Sequence, residues 1–213
     1  MKKLVVLLLA TLVATSAAAV VDPDPDMMGI YFDRNADLNG ICQPVNVPFM
    51  VYAVVTNTTA QGIDAYEFSY EMVVPAGSEG LLFRLSNNIA DGAAPGVDLR
   101  ESAALGGDHI VGLATPLPAS PAVIVHSWQY MVLGNFPVYV YLRAASVPSL
   151  PGGFAVVQDI ATGLMTVGQA TGGPDIPVAT INSASCSDPE DPGPEFPVAT
   201  EDASWGSVKS LYR

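Results

Sequence analysis

Residues Ala65–Val74 read AYEFSYEMVV. Tyr66, Phe68, Tyr70, Met72 and Val74 alternate with Glu67, Ser69 and Glu71. Successive side chains of a strand point to opposite faces, so this stretch predicts a strand with one buried and one wetted face. Such strands belong to antiparallel sheets. Upstream, Val45–Thr56 is apolar on both faces, which predicts a central strand. Pro48 cannot donate to a ladder, so the first residues of that strand belong at an edge or a bulge.

Further strand-like runs extend both ways: Met28–Phe32, Leu81–Leu85, His109–Ala114, Val123–Leu133, Val138–Ala144, Phe154–Asp159, Leu164–Gly168 and Val178–Ser183. Gly, Pro, Asn or Asp punctuate most gaps, and 19 Gly and 18 Pro are spread through the chain. No stretch between Met27 and Cys186 holds a 3.6-residue apolar period. The pattern predicts an all-β, antiparallel β-sandwich of jelly-roll or immunoglobulin-like kind.

The chain begins with Lys2 and Lys3, an apolar run Leu4–Val13 and then Ala17-Ala18-Ala19. That is the layout of a signal peptide, residues 1–19, and it predicts a mature chain starting near Val20 outside the cytoplasm. The apolar run is short for a permanent anchor, so no transmembrane anchor is expected after cleavage. Residues 20–26 form a polar leader, residues 27–186 the sandwich domain, and residues 187–199 (SDPEDPGPEFPVA) an acidic, Pro-rich linker. The domain of about 160 residues is long enough for one core.

The formal net charge is −13. Without Lys2 and Lys3, six basic side chains face 21 acidic ones. Nucleic acid is excluded as a partner, because phosphate binding needs basic clusters. Half the residues are hydrophobic and 14% are charged, so the domain is neither disordered nor fibrous. Cys42 and Cys186 are the two cysteines. In an oxidising compartment they predict a disulfide closing the domain, at about 4–5 kcal/mol in the chain-entropy picture. Two unpaired thiols are the alternative.

Residues 200–213, TEDASWGSVKSLYR, predict a short amphipathic helix. Thr200 caps it, Glu201 and Asp202 lie in its first turn, and Lys209 and Arg213 lie in its last. Trp205, Val208, Leu211 and Tyr212 share one face. A helix this short is marginal alone and would order on contact with a partner groove, or as a strut against its own domain.

Three other constellations carry candidate chemistry. Taking Gly134-Asn135 as a two-residue turn pairs Tyr130 with Tyr139, Trp128 with Tyr141 and His126 with Arg143. The resulting aromatic ladder ends in a His and an Arg, which suits either core packing or stacking on a polysaccharide. Asp33, Asn35 and Asp37 alternate as in a calcium loop, but Leu38 and Pro44 stand where an EF-hand needs Gly and a bidentate acid. A looser calcium site and a plain polar turn both remain open, and no other cofactor is expected. Asp91, Asp98, Glu101 and Asp108 crowd one loop. A small hydrolase would need two of them to converge, whereas solvated charge needs nothing. Asn57-Thr58-Thr59 is a glycosylation sequon and reads as a turn.

The succession VPFMVYAVVTN, TTAQGID, AYEFSYEMVVP resembles the early strands of cohesin-like and carbohydrate-binding-like sandwiches. The resemblance implies a sandwich of about nine strands and leaves the ligand open. The ending WGSVKSLYR resembles a W-G-x-[IV]-K-x-[LM]-[YF]-R tail of exported bacterial proteins. It implies a portable sorting or docking element. The expected function is therefore a secreted or cell-surface, non-catalytic β-sandwich. Its partner, a protein or cell-surface component, would be met through the tail, with polysaccharide binding as the alternative.

Overall fold

The computed structural model describes residues 22–99, 103–152, 154–170, 173–183 and 186. The expected signal peptide, linker and tail helix lie outside the described residues. Twelve strands follow in order: β1 Met27–Tyr31, β2 Gly40–Ile41, β3 Pro48–Thr56, β4 Gly62–Val73, β5 Leu82–Ile89, β6 Gly96–Asp98, β7 Gly106–Pro118, β8 Ala122–Val132, β9 Val138–Arg143, β10 Ala155–Asp159, β11 Gly163–Gln169 and β12 Ala179–Ile181.

They form one continuous sheet folded over into the two layers of a β-sandwich. The first layer runs β5–β8–β3–β1, antiparallel throughout. A short parallel pairing of β1 with β11 at Met27 and Met28 turns the corner. The second layer is centred on β4. One edge of β4 carries β7, with β6 outside it. The opposite edge is shared end to end, by β10 along Ile63–Glu67 and by β9 along Ser69–Val73. β12 and then β2 extend the layer beyond β9.

The period-2 pattern of β4 builds the core as expected. Tyr66, Phe68, Tyr70 and Met72 are buried, and they meet Phe49, Val51, Ala53 and Val55 of β3 in one cluster. The other face of β3 is covered along its second half. Tyr52 and Val54 pack with Tyr31 and Ala36 in a second, smaller cluster. Pro48 is the first residue of its strand, where a missing N–H disrupts least. The outer face of β4 departs from its pattern, because Glu67 and Ser69 are buried as well. The segment between β9 and β10 crosses over them: Ser149 donates from its N–H and its hydroxyl to the Glu67 carboxylate at 2.6 and 2.5 Å.

The expected hairpin at Gly134-Asn135 does not form. β8 pairs with β3 and β5, and β9 pairs with β4 and β12. The chain crosses from one layer to the other between Val132 and Val138, so the two strands are never neighbours. The pairings of Tyr130 with Tyr139, Trp128 with Tyr141 and His126 with Arg143 are thereby corrected. A bulge in β8 sets which side chains point inward. Ala53 pairs with His126 and Val54 with Ile124, leaving Val125 as the extra residue. Val125 and His126 are both buried, and Trp128, Tyr130 and Val132 then follow on the inner face.

Cys42 and Cys186 form a disulfide with their Cα atoms 5.4 Å apart. It joins the segment after β2 to the segment after β12. At the other end of the domain, residues 22–26 lie against the 57–59 turn. The Asp26 carboxylate accepts from the Thr59 N–H and hydroxyl at 2.7 and 2.5 Å, and Asn57 donates to the Asp22 carbonyl at 3.0 Å.

Candidate functional site

The six residues of the expected ladder divide into two groups. His126, Trp128 and Tyr130 are fully buried between the layers. Tyr139, Tyr141 and Arg143 lie half-buried on the outer face of β9. The aromatic platform is therefore not one surface.

The inner group is a packed polar-aromatic network. The rings of His126 and His109 lie 4.1 Å apart, and the Trp128 ring is 4.8 Å from His126 and 4.6 Å from Tyr70. His126 donates from Nε2 to the Asn87 amide oxygen at 2.5 Å and accepts at Nδ1 from the Tyr66 hydroxyl at 2.8 Å. Burial, then the neighbouring His109 and Arg84, push the His126 imidazole down to about 2, so it is neutral. His109 donates from Nδ1 to Asp98 at 2.5 Å. Arg84 donates to the Tyr70 hydroxyl at 3.3 Å, Tyr70 to Tyr130 at 2.9 Å, and Tyr130 to the Ala104 carbonyl at 2.8 Å. Burial raises the Tyr66 and Tyr130 phenols, which stay protonated. These groups hold the layers together, and no sugar ring reaches them.

The outer group borders open surface. Across the ladder, Tyr139 faces Val73, Tyr141 faces Glu71 and Arg143 faces Ser69. Arg143 lies over the Tyr141 ring at 4.8 Å and pairs with Glu71 at 3.2 Å. It also donates to the Pro174 carbonyl. Tyr139 opens onto a groove of about 630 Å³, lined by Val45, Phe136, Pro137, Asn135, Asn182 and the disulfide among others. That volume lies within the range of small-ligand sites. Among the described residues its lining contains no carboxylate and no imidazole. The groove can therefore offer apolar contact together with amide and hydroxyl hydrogen bonds. Sequence reading missed it, because its walls come from loops that pattern analysis leaves unassigned. The one available signal was the disulfide, which brings residues 42–45 beside Asn182, Ser183 and Cys186.

Each described acidic candidate is held by a partner of its own. Asp33 holds its own turn, accepting from the N–H groups of Asn35, Asp37 and Leu38 at 2.9, 2.9 and 2.8 Å. No group of three His, Cys, Asp or Glu able to hold a metal occurs among the described residues. Asp91 pairs with Arg34 and accepts from the Ser127 hydroxyl at 2.7 Å. Asp98 is bound to His109, and Asp108 accepts from the Ser146 N–H at 3.1 Å. Glu101 lies outside the described residues. No helix among the described residues is long and apolar enough to cross a membrane.

No family model matches the chain, and no curated protein sequence matches it. Solved structures are similar in fold. A type II cohesin domain from the cellulosome of Acetivibrio cellulolyticus is 12% identical, with 75% of this chain and 96% of that one covered, at a TM-score of 0.50. The sixth cohesin of scaffoldin B from the same organism, in complex with a Cel5 dockerin mutant, is 9% identical, with 73% and 96% covered, at a TM-score of 0.47. At these identities the likeness is one of fold: the domain is a cohesin-like β-sandwich.

Proposed function

We propose that this chain is an exported, non-catalytic interaction module. The observation that carries the reading is the groove beside Cys42–Cys186, which is partly apolar and lined, among the described residues, by Val45, Phe136, Pro137, Tyr139 and the amides of Asn135 and Asn182. Both histidines are consumed in the interior, and each acidic side chain of the hydrolase reading that is described holds a partner of its own. The likeness to a cohesin domain agrees with a partner-binding role and does not choose the partner.

In this reading the N-terminal 19 residues direct export. Residues 200–213 are a docking or sorting element, presented on the acidic linker. Trp205, Val208, Leu211 and Tyr212 bury against a protein or cell-surface component, with Lys209 and Arg213 pairing with its acids. The test is to fractionate cells expressing the full chain or a chain ending at Ala199. Surface retention of the full chain with release of the truncation supports the reading. Identical fractionation of both refutes the tail's role.

A second reading rests on Tyr139 and Tyr141, which share the outer face of one strand about 7 Å apart. Paired rings at that spacing suit sugar stacking. Retardation on polysaccharide affinity gels that is lost in Tyr139→Ala and Tyr141→Ala variants would favour it.

A further inference from the structure

Cys186 is both the last described residue and a wall of the Tyr139 groove. The chain that continues from it, residues 187–199, reads SDPEDPGPEFPVA and carries Pro189, Pro192, Pro194 and Pro197. Sequences this rich in proline favour the polyproline II helix, which turns once in three residues and rises about 3.1 Å per residue. In that conformation Pro189, Pro192 and Glu195 share one ridge at intervals of about 9 Å.

The sandwich presents a matching row. Tyr139, Tyr141 and Arg143 are half-buried on the outer face of β9, at intervals of about 7 Å. Phe136 and Pro137 wall the groove just before Tyr139. β12 runs antiparallel to β9 and ends with Ile181 opposite Val138. The chain beyond β12 therefore stands at the start of β9, and a segment leaving Cys186 can follow β9 from Tyr139 towards Arg143. The order proline, proline, acid then meets the order tyrosine, tyrosine, arginine. Glu71 already pairs with Arg143 at 3.2 Å, and the five N–H donors of a guanidinium can serve a second carboxylate.

We infer that residues 187–199 dock in cis along this groove and the outer face of β9. The inference rests on the groove as an interaction surface and names its occupant. Extended proline-rich segments suit aromatic-walled grooves, because a preformed helix loses little entropy on binding. The direct tether adds an effective concentration in the millimolar range. The segment also carries Asp188, Glu190 and Asp191, which meet no carboxylate in the described lining of the groove. A docked linker would deliver residues 200–213 from the Arg143 end of β9, and so orient the tail instead of leaving it on a free tether.

The test is limited digestion of the mature chain by a glutamate-specific protease, read by mass spectrometry at Glu190 and Glu195. The comparison is a synthetic peptide of residues 187–199 at the same concentration. A linker docked about nine-tenths of the time is cut about tenfold more slowly than the free peptide, because cleavage follows the open population. The expected result is that slowing, abolished by Tyr139→Ala and by the pair Pro189→Gly and Pro192→Gly. The proline variants lie outside the sandwich and leave its folding intact. Cleavage of the wild-type linker at the rate of the free peptide overturns the inference, as does a slowing that these substitutions leave unchanged. A freely cut linker on a chain that still binds an added proline-rich peptide of foreign sequence at Tyr139 overturns the cis assignment while leaving the groove a partner site.

Discussion

Acid should destabilise this protein through His126 in particular. The ring is fully buried, and its imidazole is pushed from the ordinary 6.5 down to about 2, first by burial and then by His109 and Arg84. The folded protein therefore refuses a proton that the unfolded chain accepts below pH 6.5. The stability contributed by a neutral His126 is complete above pH 6.5. It falls as the pH drops from there towards 2. One pH unit of such a difference is worth about 1.4 kcal/mol, so between pH 6.5 and 4 this one side chain removes about 3 kcal/mol. That is a large fraction of the roughly 5–15 kcal/mol of a typical domain. Carboxylates contribute to acid lability too, so the measurement must be a difference. Urea unfolding of the wild type and of His126→Gln at pH 7, 6, 5 and 4 supplies it. Gln keeps an N–H and a carbonyl for Asn87 and Tyr66 but takes no proton. The variant should start less stable and lose stability about 1 kcal/mol per pH unit more slowly. Parallel pH profiles for the two proteins would refute the reasoning, because His126 would then titrate alike in both states.

Three more outcomes can be checked. Replacing Cys42 and Cys186 by Ser opens a loop with a sequence separation of 144 and should cost about 2–5 kcal/mol, lowering the calorimetric Tm by roughly 5–15 °C. Glu67→Ala leaves the Ser149 N–H and hydroxyl without their acceptor, so hydrogen exchange and limited proteolysis should quicken within residues 144–151 while the β4 core stays protected. Gly106→Ala places a Cβ 2.4 Å from the Tyr70 carbonyl oxygen at a φ of +146°, where the β4–β7 pairing cannot easily yield. Chemical denaturation should show a loss of roughly 2–4 kcal/mol.

The inner face of β4 was legible because alternation reports one strand's own geometry. Tyr66, Phe68, Tyr70 and Met72 needed no knowledge of neighbours. Which strand lies beside which is a tertiary property, and there the reading of Gly134-Asn135 failed. Two adjacent β runs separated by a turn-like dipeptide suggest a hairpin, yet Val132 and Val138 belong to opposite layers. The consequence fell on the site: Tyr139 and Tyr141 point outward while Trp128 and Tyr130 point inward. His126 follows the core-packing alternative of the ladder for a related reason. It is polar, but it sits in a strand whose alternating partners Trp128, Tyr130 and Val132 are large and apolar. The bulge at Val125 could not be foreseen, since it costs one residue of register and leaves no compositional mark. The disulfide was legible from compartment and count. The outer Glu67 and Ser69 were expected to be wet, and only the crossing segment 144–151, which has no periodicity, explains why they are not.

The cross-link between Cys42 and Cys186 also sets how the molecule would bear tension. A pull between the segment before β1 and the segment after residue 186 runs through the sulfur–sulfur bond and bypasses every residue from 43 to 185. Only β1 and β2 can then be peeled away. β1 would have to shear from the full length of β3 and from β11 before anything gives. Even after that, the chain gains only the length of residues 22–42, roughly 70 Å when extended. Fixed at one end and loaded at the other, the sandwich would act as a nearly inextensible coupling.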